Sequence, residues 1–328
     1  MRAVICNEWG TPESLTVGEL PDPPAPRPGE VRLAVAAAGV NFADTLMVAG
    51  KYQEKPAFPF APGLEVAGRI EALGAGVDGL HVGQRVLALT DSGGFAELAK
   101  AKASDVFPLP ETMDDATAAG FPITYGTGHG ALVWRAALQA GETLLVNGAA
   151  GGVGLAAVEI GKAMGATVIA SAGGPEKLAI AQAHGADHLI DSRAEDLRAR
   201  VKEITDGQGA DVIFDPVGGE VFEASMRAAA WSARLLIIGF AAGQVPQIPA
   251  NILLVKNLSA IGLYWGSYRT HAPQRLALAF EELFAWFEAG KLKPLVSERF
   301  ELERAPEALQ RLLDRKATGK LVITTGAA

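Results

Sequence analysis

Apolar positions along the chain change rhythm part-way through. In the first third they come as short runs broken by Gly and Pro: "RAVIC" (2–6), "LTVGEL" (15–20), "VRLAVAAAGV" (31–40), "EVAGRIEALG" (65–74) and "QRVLALT" (84–90). These predict strands, with "PDPPAPRPGE" (21–30) as a loop, and so a mostly β domain. A helical pattern begins near Thr112, where "TMDD" resembles a capping box with Asp in place of Glu.

In the middle third, apolar runs alternate with segments of helical length. "TLLVN" precedes a helix over about 152–164, and "TVIAS" precedes one over about 175–184 opened by Pro175. "HLID", a helix around 195–204, "DVIFD", a helix around 222–230 and "RLLIIG" continue the alternation. Strand–helix repetition with strands apolar on both faces predicts a doubly wound parallel sheet covered on both sides. Further on, Leu276, Phe280, Leu283 and Phe287 recur at helical spacing, with Gly290 as a C-terminal stop. A second helix, with Pro306 near its start, leads past Gly319 into a final strand. That strand is free to rejoin the N-terminal β domain. The expected layout is a first domain of 1–122 with 270–328, and a second of 123–269.

The 328 residues fit this two-domain reading, at about 150 residues per domain. A net charge of −8 gives no encouragement to nucleic acid or an anionic membrane as partner. The lone cysteine, Cys6, allows no disulfide within the chain and no cysteine-based zinc site. "MRAVICNEWG" lacks the pattern of a signal peptide, and no uninterrupted apolar run is long enough to span a bilayer. The expected setting is the cytoplasm.

The stretch richest in chemistry is "LLVNGAAGGVG" (144–154). Its turn is a dinucleotide fingerprint with Ala at the first Gly position, placed after a strand and opening a helix. Gly151 and Gly152 let the backbone approach a pyrophosphate where a Cβ would collide, and Gly154 lets the helix pack closely on the sheet. The helix N-terminus then offers unpaired N–H groups to the phosphates. NAD-type sites place an Asp or Glu at the end of the second strand to bind the ribose 2′-hydroxyl. Here that place reads Ser171, Ala172, Gly173, Gly174. Small residues leave room for a 2′-phosphate, Lys177 follows one helical turn later, and Arg193 comes after the third strand. NADPH is therefore expected rather than NADH.

With "AAGVNFADTLMVAGKY" (37–52), "PGLEVAG" (62–68), "NGAAGGVG" (147–154), "GADHLID" (185–191), "DVIFDPVGG" (211–219) and "GKLV" (319–322) in order, nearly the whole chain resembles one family. It is similar to the zinc-independent, zeta-crystallin-like quinone oxidoreductases of the medium-chain dehydrogenase/reductase superfamily. The resemblance implies an α/β fold: a Rossmann domain joined to a mostly β, GroES-like catalytic domain. Zinc-holding members place a cysteine ligand before the first catalytic helix and a histidine in a "GHE" segment; here Gly39 and Leu64 stand in the matching stretches. His184 and His188 are expected to be ordinary loop residues, with Gly185 breaking any shared helix. Without zinc there is no Lewis acid to hold an alkoxide, which disfavours alcohol oxidation. An electrophilic quinone or enone accepts hydride from the nicotinamide directly.

The resemblance further implies roles for single residues. Asn41 and Asp44 lie near the nicotinamide; read from the residues alone, Asn41 is an N-cap and Asp44 caps the helix that follows. Tyr52 is the proton donor or oxyanion partner, while Leu46 replaces a second tyrosine found in some relatives. Thr127 is implied at the nicotinamide ribose, Gly151, Gly152 and Val153 at the pyrophosphate, and Gly173, Gly174 and Lys177 at the 2′-phosphate. Ser192 stands where relatives stack a tyrosine near the adenosine. Phe240 and Ala241 of "GFAAG", then Leu263, Tyr264 and Trp265 of "GLYWG", face the nicotinamide, with Lys320 near the cofactor. Family members pair through the edge of the nucleotide domain, so "NILLVKNLSAIGLYW" (251–265) is the expected homodimer edge. Three functions remain open: a quinone reductase, a reductase of alkenals, enones or enoyl thioesters, and a non-catalytic NADPH-binding structural or RNA-binding protein.

Overall fold

A computed structural model describes residues 1–326. The chain divides into two compact units: Met1–Ile123 with Arg269–Phe280 and Pro294–Ala328, and Thr124–Tyr268 with Glu281–Lys293. The expected boundary gave all of 270–328 to the first. Within the second unit, Glu282 Oε2 lies 2.8 Å from His129 Nε2, and the Lys293 N–H donates to Glu159 Oε2 at 2.9 Å.

Among the described residues the first unit holds nine strands, the first seven being β1 (Arg2–Ile5), β2 (Thr16–Glu19), β3 (Glu30–Val40), β4 (Glu65–Leu73), β5 (Arg85–Leu89), β6 (Leu98–Lys102) and β7 (Val106–Pro108). The second unit contributes β8 (Thr143–Asn147), β9 (Thr167–Ala172), β10 (His188–Asp191), β11 (Ala210–Asp215), β12 (Ala229–Ile237) and β13 (Ser259–Gly262). The chain then adds β14 (Val296–Glu301) and β15 (Lys320–Thr324) to the first unit.

There, β1 and β2 form an antiparallel hairpin, and the main sheet runs β14-β15-β3-β4-β5-β7, with β6 also paired to β3. β15 does rejoin the N-terminal domain: Leu321 pairs with Val40 and Ile323 with Ala38, antiparallel. Leu33, Val35, Val66, Ile70, Val86, Phe95, Leu321 and Ile323 share one buried core. The helix expected near Thr112 begins at Asp115, because Asp114 is the residue whose side chain accepts the Thr117 N–H.

The second unit is a six-stranded parallel sheet ordered β10-β9-β8-β11-β12-β13. Numbered within the unit this is 3-2-1-4-5-6, the Rossmann order, which reverses between β8 and β11. A register row runs Ile169–Leu145–Ile213–Leu235, one fully buried side chain from each of four strands. Each such burial stabilises the sheet by about 1.5–3 kcal/mol. The helix expected over 222–230 spans Gly219–Ala228, its start drawn forward by Gly218 and Gly219 at φ 75 and 56. No helix among the described residues is long and apolar enough to cross a membrane.

Candidate functional site

In the first unit, β3 ends at Val40 and a short helix, Phe42–Val48, follows at once. Asn41 is its N-cap: the Asp44 N–H donates to the Asn41 carbonyl at 3.0 Å, and Asp44 Oδ2 accepts the Asn41 N–H at 2.7 Å. This fixes the backbone of Asn41 and frees its side chain for a polar cluster. Asn41 Nδ2 donates to Glu65 Oε1 at 2.8 Å, and Lys320 Nζ donates to Asn41 Oδ1 at 2.6 Å. Lys320 Nζ also lies 2.6 Å from Glu65 Oε1, and Glu65 Oε2 accepts the Ile123 N–H at 2.8 Å. Asn41, Asp44, Glu65 and Lys320 are all buried. Burial pushes the Asp44 carboxyl up to about 7; the Asn41 N–H and the Lys320 ammonium pull it down, and Glu65 adds to the rise.

Two glycines make room for this cluster. A Cβ on Gly39 would collide with Glu65 Oε1 and the Ala119 carbonyl, and one on Gly120 would meet Lys320 Cγ at 2.5 Å. Position 39 therefore has no room for a side chain of any kind. The side chain that this turn does present is the amide of Asn41, already bonded to Glu65 and Lys320. With Leu64 apolar and an ammonium seated on Glu65, these donors do not fit a zinc ion. Among the described residues, no group of three or more His, Cys, Asp or Glu is placed to hold a metal. Tyr52 is half-buried against the same core, its N–H donating to the Leu46 carbonyl at 3.1 Å.

In the second unit the glycine turn joins β8 to the helix Gly152–Ala163, with Gly151 as N-cap. Gly148 sits at φ 60, and a Cβ on Gly154 would strike the Gly148 carbonyl. The first helical turn, with Val153 half-buried in it, begins without a side-chain cap. Its N–H groups suit a pyrophosphate, at the switch point where such ligands bind. Asn147, at the end of β8, donates to Asp215 Oδ1 at the end of β11 and to Ser225 Oγ, both at 2.9 Å. Burial raises the Asp215 carboxyl, while Asn147 and the Gly218 N–H pull it down.

At the end of β9 the predicted gap holds a cation. A Cβ on Gly173 would lie 2.7 Å from Arg193 Nε, so the guanidinium covers this glycine. Asp191 Oδ1 accepts the N–H groups of both Gly174 and Arg193 at 3.0 Å, which pins the two loops together. Lys177 is half-buried one turn into the next helix, and exposed Ser192 donates its N–H to the Ala172 carbonyl at 3.0 Å. This set fits a phosphorylated ribose by charge and by space.

The remaining candidates divide. Thr127 is buried on the helix Pro122–His129, Phe240 and Tyr264 are exposed, and Leu263 is half-buried, donating its N–H to the Ile237 carbonyl at 3.1 Å. Exposed Ala241 donates its N–H to the Pro216 carbonyl at 3.1 Å. Trp265 is interior: its indole packs onto Gly126 and Gly130. His184 lies in the turn that ends the helix Pro175–Ala183, whereas His188, expected in a loop, opens β10. The His184 Nδ1 is hydrogen-bonded to Glu159 Oε1, while Glu159 Oε2 accepts the Tyr125 hydroxyl at 2.8 Å. Sequence reasoning missed Glu65, Asn147 and Asp215. The only signal for each was an acid or amide at the end of an apolar strand.

A profile described as "Alcohol dehydrogenase GroES-like domain" matches residues 27–111, and one described as "Zinc-binding dehydrogenase" matches 152–282. A Nematostella vectensis protein named "Quinone oxidoreductase-like protein 2 homolog" is 44% identical over 326 residues, 99% of this chain and 89% of its own length. This chain belongs to the quinone oxidoreductase family of the medium-chain dehydrogenase/reductases. The human "Quinone oxidoreductase" is 34% identical, covering 98% of this chain and 97% of its own. The solved Escherichia coli quinone oxidoreductase, described as complexed with NADPH, superposes with a TM-score of 0.92 at 29% identity, covering 99% of this chain and all of its own. It is an oxidoreductase family, and the two units are its GroES-like and Rossmann folds.

Proposed function

We propose that this protein is an NADPH-dependent reductase that delivers hydride to quinones without a zinc ion. The observation that carries the reading is the Arg193 guanidinium over side-chain-free Gly173, where an NAD-type site would hold a carboxylate. Arg193 and Lys177 take the 2′-phosphate, with Gly174 and Ser192 on the adjoining backbone. Gly151, Gly152 and Val153 take the pyrophosphate. Thr127, Phe240, Ala241, Leu263 and Tyr264 serve the nicotinamide half, with Trp265 as a packed wall. Bound NADPH supplies the hydride. The chain supplies donors to the acceptor oxygen, the Asn41 amide and the Tyr52 hydroxyl, with Lys320 setting the orientation of Asn41. The Lys320–Glu65 pair and the apolar Leu64 favour an acceptor that is already electrophilic. The names borne by the relatives point the same way.

The exposed edge strand β13, beside exposed Leu254 and Val255, suits pairing with a second copy into a homodimer. One buried cysteine in the chain is in keeping with a reducing cytoplasm.

Steady-state oxidation of NADPH against 1,4-benzoquinone, 9,10-phenanthrenequinone, an alkenal and an enoyl thioester tests the reading. Quinones are expected to give the highest kcat/KM. Faster turnover of the alkenal or thioester would assign the enzyme to alkene reduction. Saturable NADPH binding without turnover of any acceptor would leave a non-catalytic protein.

A further inference from the structure

The polar cluster of the first unit encloses two carboxyl groups and one ammonium, with Asp44 and Glu65 fully buried and Lys320 nearly so. The hydrogen bonds are shared unequally. Glu65 accepts from Lys320 and Asn41 at Oε1 and from the Ile123 N–H at Oε2. Asp44 accepts from the Asn41 N–H at Oδ2, and the Gly63 N–H also faces its carboxyl, while its buried Oδ1 makes no hydrogen bond of full geometry among the described residues. One ammonium cannot neutralise two carboxylates, and a net charge shut away from water is costly. The proton that balances the cluster belongs on its least satisfied oxygen, Asp44 Oδ1.

We propose that Asp44 rests as a neutral carboxylic acid, protonated on Oδ1, and stores the proton that completes reduction of the acceptor. The inference rests on the reductase reading for its second half only. In the balanced step the acceptor gains two electrons and one hydrogen as hydride from NADPH. The Asp44 Oδ1–H bond then breaks, a new O–H bond forms on the reduced acceptor oxygen using that oxygen's own electron pair, and solvent reprotonates Asp44. The carboxyl has no exposed surface, so Asp44 is a proton-holding, positioning residue beside Asn41 rather than a group that touches the acceptor. The charged groups facing it are Lys320 from β15 and Glu65 from β4. Burial raises the Asp44 carboxyl against the pull of the Asn41 and Gly63 N–H groups and the Lys320 ammonium.

Infrared difference spectroscopy on the cofactor-free protein, carrying isotope-labelled aspartate, tests the stored proton directly. A labelled carboxylic-acid C=O band is expected at pH 6 and lost toward pH 9. Asp44→Asn is expected to abolish it. The pH profile of kcat tests the use of the proton. Wild-type turnover is expected to fall as pH rises through neutrality. Asp44→Asn is expected to be about 10²-fold slower at pH 6, flat with pH, and to approach wild type at pH 9. Absence of a protonated aspartate at pH 6 would overturn the proposal without touching the reductase reading. So would an Asp44→Asn enzyme that keeps the wild-type pH profile.

Discussion

Lys320 Nζ lies 2.6 Å from Glu65 Oε1 in the interior of the first unit, joining the last strand to the middle of the sheet. Removing one partner of such a pair leaves an uncompensated buried charge and costs about 3–5 kcal/mol. Lys320→Met should therefore lower stability by about that amount, because Glu65 loses the ammonium that compensates it. The double variant Glu65→Gln/Lys320→Met should recover part of the loss. Denaturant titration of wild type, Lys320→Met, Glu65→Gln and the double variant measures the coupling. Additive losses would show that the two side chains do not act as a pair.

Arg193 makes a separate prediction about the cofactor. A hydrogen-bonded charge contact contributes about 1.5–3 kcal/mol, or roughly 10- to 150-fold in affinity. Arg193→Ala should weaken NADPH by about that factor and leave NADH almost unchanged, since only NADPH carries the 2′-phosphate. Gly173→Asp should shift preference further, because its carboxylate would repel the phosphate and pair with Arg193. Fluorescence titration with both reduced cofactors measures this. Equal losses for NADH and NADPH would place Arg193 elsewhere than at the phosphate.

These two sites show what could and could not be read along the chain. The glycine turn was legible because its requirement is local: a strand, a tight turn and a helix start within eleven residues, 144–154. The returning strand was legible as a strand, but its partner was a guess until β15 paired with β3. Lys320 matched a basic residue of relatives, yet nothing local shows that it reaches Asn41, 279 positions away in sequence. Glu65 was hidden between Leu64 and Val66 in an apolar strand, where only the tertiary fold reveals three donors aimed at it. The burial of Trp265 was not legible either, because the slot for its ring is opened by Gly126 and Gly130 on another segment.

Gly39 tests whether a metal site could be rebuilt. The missing Cβ leaves space that Glu65 Oε1 and the Ala119 carbonyl already fill. Overpacking of this kind costs about 1–3 kcal/mol. Gly39→Ala should lower the melting temperature, and Gly39→Cys/Leu64→His should be destabilised without gaining a stoichiometric zinc ion. Calorimetry and elemental analysis of the purified variants check both. Tight zinc uptake by the double variant would show that the cluster yields more easily than its packing implies.

Asp44 carries the pH prediction for stability. Its folded value of about 7 lies above the ordinary 3.8, so the folded state holds a proton that the unfolded chain has released. A raised acid makes folding harder as pH rises. The contribution is unchanged below about pH 4, falls between about pH 4 and pH 7, and levels off above. At 1.36 kcal/mol per pKa unit the loss is on the order of 4 kcal/mol across that window. Asp44→Asn keeps an acceptor for the Asn41 N–H but cannot ionise, so its stability should lack this slope. The variant should gain on wild type from about pH 4 to pH 7 and hold that gain at pH 8. Urea denaturation of both proteins at several pH values gives the difference curve. A difference that stays constant over that range would mean that Asp44 is ionised in the folded protein throughout.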